Sequence, residues 1–389
     1  MKKNIVTVLL ILFTFSLFAQ ESEEVQEVVV MPMYITVGQS DFLQEENRIR
    51  ANMALGIIMS SVYEVDGLQA SCIMNFCESD MNGLQGAYIG NHVGGDVNGF
   101  QGASVYNIAE GNVSGGQAAG VFNIAEGEVN FVQSSGVFNI AEGGVFGAQF
   151  AGVFNIAEGT VSGAQCSGVF NIAENVNGTQ CSGIFNVAEN VIGLQSGLVN
   201  IGADVSGTQV GLVNICDDIS GFPIGLVNII RNGISDPCVW MDDTGFTYVG
   251  FQHGGRNWYT LYYGGAENED YFNSAESLAA GIGFGIRMRS GLLYVDTDLS
   301  IKQQVPDVWG LSLEEIKAMD IQQQYIPSVR LSGGIELGNL GIFGGVTFDT
   351  HAGDWADASC VQFNGTEHEI NLFDNRFNVY QKLFFGIHI

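Results

Sequence analysis

The sequence predicts an all-β protein, a repeat β-solenoid followed by a small antiparallel β-barrel-like domain. Three observations predict it. A unit of about sixteen residues recurs through the middle of the chain with Asn in a fixed column, the mark of a repeat architecture. Glycine is abundant at 53, proline scarce at 5, and charged residues make up only 14% of the 389 residues. That composition, with its many aromatics, suits ordered β-structure with tight corners rather than disorder. After Arg231 the repeat stops and a period-two alternation replaces it.

The chain opens on Lys2 and Lys3 and an apolar stretch from Ile5 to Phe18. Residues 1–19 therefore read as a secretory signal with Ala19 before the cleavage point. No Cys stands at that point, so a lipid anchor is not indicated. No later segment offers about 18 unbroken apolar residues, so any later membrane contact would have to run through strands. Residues 20–50 form an acidic segment ahead of the repeats.

The repeat region spans 51–231. Its Asn column includes Asn107, Asn123, Asn139, Asn155, Asn171, Asn186, Asn200, Asn214 and Asn228, and begins upstream at Asn75 and Asn91. Gln precedes Asn by six or five residues, as at Gln117, Gln133 and Gln195, and a Val column follows the corner four residues before Gln, as at Val113, Val129 and Val145. The unit shortens twice, once between Glu174 and Val176 and once between Gln195 and Gly197. Corners tolerate deletions better than strands do. Each unit is therefore two short strands and two corners, one strand carrying Gly-Val-Phe-Asn-Ile-Ala and the other Val and Gln.

Two architectures accept this unit. In a solenoid each unit is one coil, and the Asn and Gln side chains stack into amide ladders. Eleven or twelve coils would then make a rod of roughly 50–60 Å. In the alternative the units are strands of one large outer-membrane β-barrel. The solenoid is preferred because it gives every copy the same surroundings, and because a hairpin turn has no need of a constant Val.

Three features of the repeat carry candidate chemistry. A Glu follows Asn by three at Glu110, Glu126, Glu142, Glu158, Glu174 and Glu189. This column reads as a solvated corner, with divalent-cation binding as the sharper alternative. Phe122 and Ile124 point to one side of their strand, Asn123 and Ala125 to the other. Neither side is plainly polar. A narrow solenoid has only one internal side, so the other stripe needs a cover; the plainer reading packs Phe and Ile into the core and leaves the small residues outside. Cys166 and Cys181 share a slot in neighbouring coils, about 4.8 Å apart if stacked, which makes them a candidate disulfide.

In residues 232–389 the alternation marks strands at Phe246–Gln252, Asn257–Tyr263, Leu278–Met288, Leu292–Ile301, Ser328–Leu337, Leu340–Thr347 and Val379–Ile389. Ser312 and Glu315 form a capping box for a short helix. Seven or eight strands suffice for a small barrel. The Gly225-Leu-Val-Asn-Ile-Ile-Arg-Asn-Gly233 exit, Arg256-Asn-Trp-Tyr-Thr-Leu-Tyr-Tyr263, and Gly281-Ile-Gly-Phe-Gly285 ahead of Tyr294-Val-Asp-Thr-Asp298 resemble a bacterial cell-surface repeat family. The resemblance implies an exported, envelope-associated protein and supplies no catalytic residues.

The remaining chemistry is mostly excluded. Net charge is -29, from 42 acidic and 13 basic residues, the wrong balance for neutralising phosphates. The five His show no ligand spacing and the seven Cys no zinc pattern. No nucleophile elbow or dinucleotide loop occurs. The sequence thus predicts no catalytic residues, no cofactor and no nucleic-acid partner. It predicts a non-enzymatic outer-membrane or cell-surface protein with a surface ligand or envelope partner, membrane-bound through its C-terminal domain. A pore or transport protein, or a secreted glycan- or cation-binding module, are the alternatives.

Overall fold

The computed structural model describes residues 28–37, 48–267, 277–306, 325–352, 366–372 and 375–389. The signal at 1–19, most of the acidic segment and the helix expected after Ser312 lie outside the described residues.

The repeats form a solenoid of about twelve coils. Strands from Val28–Met31 to Val227–Ile230 belong to one 25-stranded sheet in which each strand pairs parallel with its counterpart one coil away. The register follows the repeat: Phe122 faces Phe138, Asn123 faces Asn139, and Val113 faces Val97. The solenoid begins earlier than the repeat motif, since Val28–Met31 and Tyr34–Thr36 both pair with Arg48–Gly56. The first shortening is absorbed by a register shift between Ala157 and Thr160. The large-barrel alternative for the repeats is thereby overturned: closing a barrel needs neighbouring strands of a meander to run antiparallel, and these run parallel.

Each coil has a short strand, such as Phe122–Ala125, and a longer one, such as Val113–Ala119. The Val, Ala, Asn and Gln columns are buried, and Phe and Ile stand outside, half-buried by their stacked neighbours. This corrects the reading that packs Phe and Ile inside. The space between the two strands of a coil is filled by small apolar groups and flat amides.

A further Gly column makes the close coil stacking feasible. Gly99, Gly115, Gly147 and Gly163 take φ between 137° and 150°, and a Cβ there would lie about 2 Å from the carbonyl oxygen of the coil before. The one break is Phe131, at φ 157°. There the longer strand is reduced to Val132–Ser135, with Val129 held only by isolated bridges.

Residues from Ile234 onward form a closed antiparallel barrel of eight strands. Their spans are Ile234–Asp242, Phe246–Gly254, Trp258–Glu267, Ser277–Ser290, Leu293–Pro306, Tyr325–Leu337, Leu340–Ala352 and Asn375–His388. The last pairs with Ile234–Asp242 and closes the ring. A ninth strand, Thr366–Leu372, lies along the other end of Asn375–His388. The strand Ile234–Asp242 goes unread in the sequence because Pro237 interrupts its pattern. The structure accommodates Pro237 because pairing with the closing strand starts at Cys238.

Candidate functional site

Two amide ladders run the length of the solenoid core. In the Asn ladder, from Asn75 to Asn228, each Nδ2 donates to Oδ1 of the next Asn at 2.7–3.0 Å. In the Gln ladder, from Gln69 to Gln209, each Nε2 donates to Oε1 of the preceding Gln at 2.7–2.9 Å. The two ladders therefore donate in opposite directions, so their dipoles oppose. The second Asn Nδ2 proton goes to a backbone carbonyl in the longer strand, as from Asn123 to Ser134 at 2.8 Å. Buried amides are costly unless bonded, and here nearly every rung is. The exceptions are the acceptors at the ladder ends, Asn75 Oδ1 and Gln209 Oε1. Ser60 precedes Asn75 in register, and Pro223 follows Gln209, so neither supplies the next amide.

Outside the core, register stacks the aromatic column into a ridge. Tyr106, Phe122, Phe138, Phe154, Phe170 and Phe185 follow one another at centroid spacings of 4.8–5.5 Å with nearly parallel rings. The rings cover one another's faces, so the ridge presents ring edges and Ile side chains. The Glu column lies at a mostly exposed corner. Burial, and then the neighbouring glutamates, push Glu142 up from the ordinary carboxylate range, and Glu126 likewise. No cluster of three or more metal-binding side chains forms among the described residues.

Cys166 and Cys181 are aligned in neighbouring coils as the spacing requires. Both stand half-buried as thiols in this structure. Cys77 and Cys216 are buried, which pushes both thiols up to about 12. Such thiols are inert as nucleophiles near neutral pH.

The barrel interior combines an aromatic cluster, including Trp240, Phe246, Tyr259, Phe343 and Phe384, with charged side chains. The charged side chains there include Arg287, Asp296, Asp298, Lys302, Arg330, Asp349 and Lys382, all buried. Arg287 donates to Asp296 at 2.8 Å, Asp236 at 2.9 Å and Gln252 at 2.8 Å. Asp298 accepts from Arg330 at 2.6 Å and from the Tyr259 hydroxyl at 2.5 Å. Asp349 accepts from Lys302 and Ser328 at 2.6 Å, with the Lys382 ammonium 3.4 Å away. The opposite parity carries Val239, Val249, Ile282, Val295, Leu299, Ile301, Leu331, Leu383 and Phe385, all exposed; Leu299 is 63% exposed and Phe385 62%. Among the described barrel-strand residues, no Asp, Glu, Lys or Arg stands on that outward parity. The lumen is filled. A cavity of about 30 Å³ among Trp240, Tyr263, Lys302 and Lys382 has room for about one water.

Solenoid and barrel meet at one end of the barrel. The Asn ladder ends where Asn228 Nδ2 donates to Thr260 Oγ1 at 3.2 Å, with His253 Nδ1 3.1–3.2 Å from the Asn228 backbone. Phe222 packs on Trp258 at 4.4 Å, and Arg256 pairs with Asp218 at 2.5 Å. The Phe246–Gly254 and Trp258–Glu267 strands thus cap the open end of the solenoid. Sequence reasoning missed the ionic lumen and this cap. Both had a signal, the first in charged residues confined to one strand parity, the second in none but the abrupt end of the repeat.

Compared with protein-family models, curated proteins and solved structures, the chain finds no match.

Proposed function

We propose that this is a non-enzymatic outer-membrane protein in which the barrel is the anchor and the solenoid a rigid structural or binding arm. One observation carries the reading: the barrel is apolar outside, and the charged side chains of its strands are turned inward, most of them buried among aromatic rings. An eight-stranded barrel with an outward apolar face and a polar interior is the arrangement a bilayer demands. In water, so continuous an apolar face would drive aggregation. Strands of nine to fourteen residues are long enough to cross. The described residues of the solenoid are dominated by buried amide ladders and stacked rings, which favours structure or binding over catalysis.

The pore reading, in which the repeats form one large barrel, is disfavoured by their parallel pairing, and buried ion pairs and aromatics occupy the interior of the small barrel. Membrane fractionation tests the proposal. The protein is expected to stay with outer membranes through alkaline carbonate and to need detergent for release. Purified protein in planar bilayers is expected to give no stable conductance. Release without detergent would end the anchor reading, and steady conductance would revive the pore.

A further inference from the structure

We infer that the solenoid hangs from the periplasmic end of the barrel, so that the whole rod stands inside the envelope rather than outside the cell. The inference rests on the membrane reading above and adds a direction to it.

The direction comes from the connections between barrel strands. At the end that meets the solenoid they are residues 255–257, 291–292 and 338–339. At the opposite end they are 243–245, 268–276, 307–324 and 353–374, the last including the strand Thr366–Leu372. Every connection at the solenoid end is two or three residues long, and three of the four at the other end are several times longer. Outer-membrane barrels place short turns in the periplasm and long loops outside. The periplasmic end is therefore the one carrying the 255–257 turn.

The solenoid is fixed to that same turn. Arg256 pairs with Asp218 in the last coils, and the neighbouring Trp258 packs on Phe222. A Cβ on Gly255 would sit 3.0 Å from the Ile219 side chain. The first barrel strand, Ile234–Asp242, follows the last solenoid strand, Val227–Ile230, after only three residues. So short a connection cannot cross a bilayer about 30 Å thick. The solenoid must lie on whichever side this end faces. About twelve coils at about 4.8 Å each reach roughly 55–60 Å from it.

The experiment places protease-cleavable inserts in the full-length protein. One insert lies at the Glu110–Gly111 corner, a second at the Gly143–Gly144 corner, and a third within 307–324. In intact cells the third site is cut and both solenoid sites are spared. After the outer membrane is permeabilised, the solenoid sites are cut to two stable fragments, which also shows that the inserts leave the protein folded. Cleavage of either solenoid site in intact cells overturns the inference, as does sparing of the 307–324 site until permeabilisation. Failure of the membrane reading looks different, because the protein then leaves the membrane fraction in carbonate whichever sites are cut.

Discussion

Each Asn from Asn91 to Asn214 accepts from the coil before it and donates to the coil after it, so a missing rung strands two neighbours at once. Asn139→Ala leaves Asn123 Nδ2 and Asn155 Oδ1 without their ladder partners. Unbonded buried polar groups cost about 1–3 kcal/mol each. The variant should lose stability by about 3 kcal/mol, read as a lower urea midpoint. Phe131 works in the other direction. It replaces the Gly that other coils carry, at a φ of 157°, and Phe131→Gly should relieve about 1 kcal/mol of backbone strain and raise the melting temperature; a fall would show that Phe131 is held by its packing instead. Glu142 gives the pH test. Its pKa is raised in the folded state by burial and by Glu126 and Glu158, so the stability linked to it is full in acid and is lost as pH rises through the raised value. Glu142→Gln should therefore stabilise by about 0.5 kcal/mol at neutral pH, and the gain should vanish below about pH 4. The Asn and Gln columns were legible because an amide repeated in phase has few explanations other than a ladder. The facing of Phe and Ile was not. Hydrophobicity alone favours them inside, whereas the close approach of coils that the φ-positive glycines permit leaves an interior suited to Ala, Val and amides.

At the scale of strands, the barrel offers a substitution whose effect depends on the medium. Leu299 lies in the middle of Leu293–Pro306 and points outward. Leu299→Arg should cost about 2–4 kcal/mol if that face meets lipid, measured by refolding into phospholipid vesicles. A near-zero effect would mean the face is wet or covered by protein. Seven of the eight barrel strands were legible from alternation, with ends short by a few residues. Alternation gives a strand but not which face is the inner one, because that depends on the solvent. Lys302, Arg330, Asp349 and Lys382 on one parity held that information, and only the closed ring, which pairs them, makes it readable. Ile234–Asp242 escaped notice because proline normally argues against a strand. Pro237 is tolerated only through its place beside the last closing pair.

For the whole molecule, the two halves share one plan, polar groups buried beneath an apolar exterior. The solenoid hides amides under an apolar-edged sheet, and the barrel hides ion pairs under an apolar coat. The solenoid's ladder ends on Thr260 of the barrel, so the halves form a capped array rather than beads on a linker. The division near residue 231 was legible from the loss of the Asn period, but this cap was not, because it depends on contacts between residues 32 positions apart. The placement of both halves depends on the barrel belonging in a bilayer. Refolding the full chain from urea, with and without phospholipid vesicles, tests it most directly, with proteolytic protection of residues 232–389 as the readout. A membrane barrel yields a protected C-terminal fragment only when vesicles or detergent are present. A protected fragment from a monodisperse protein in plain buffer would contradict that placement.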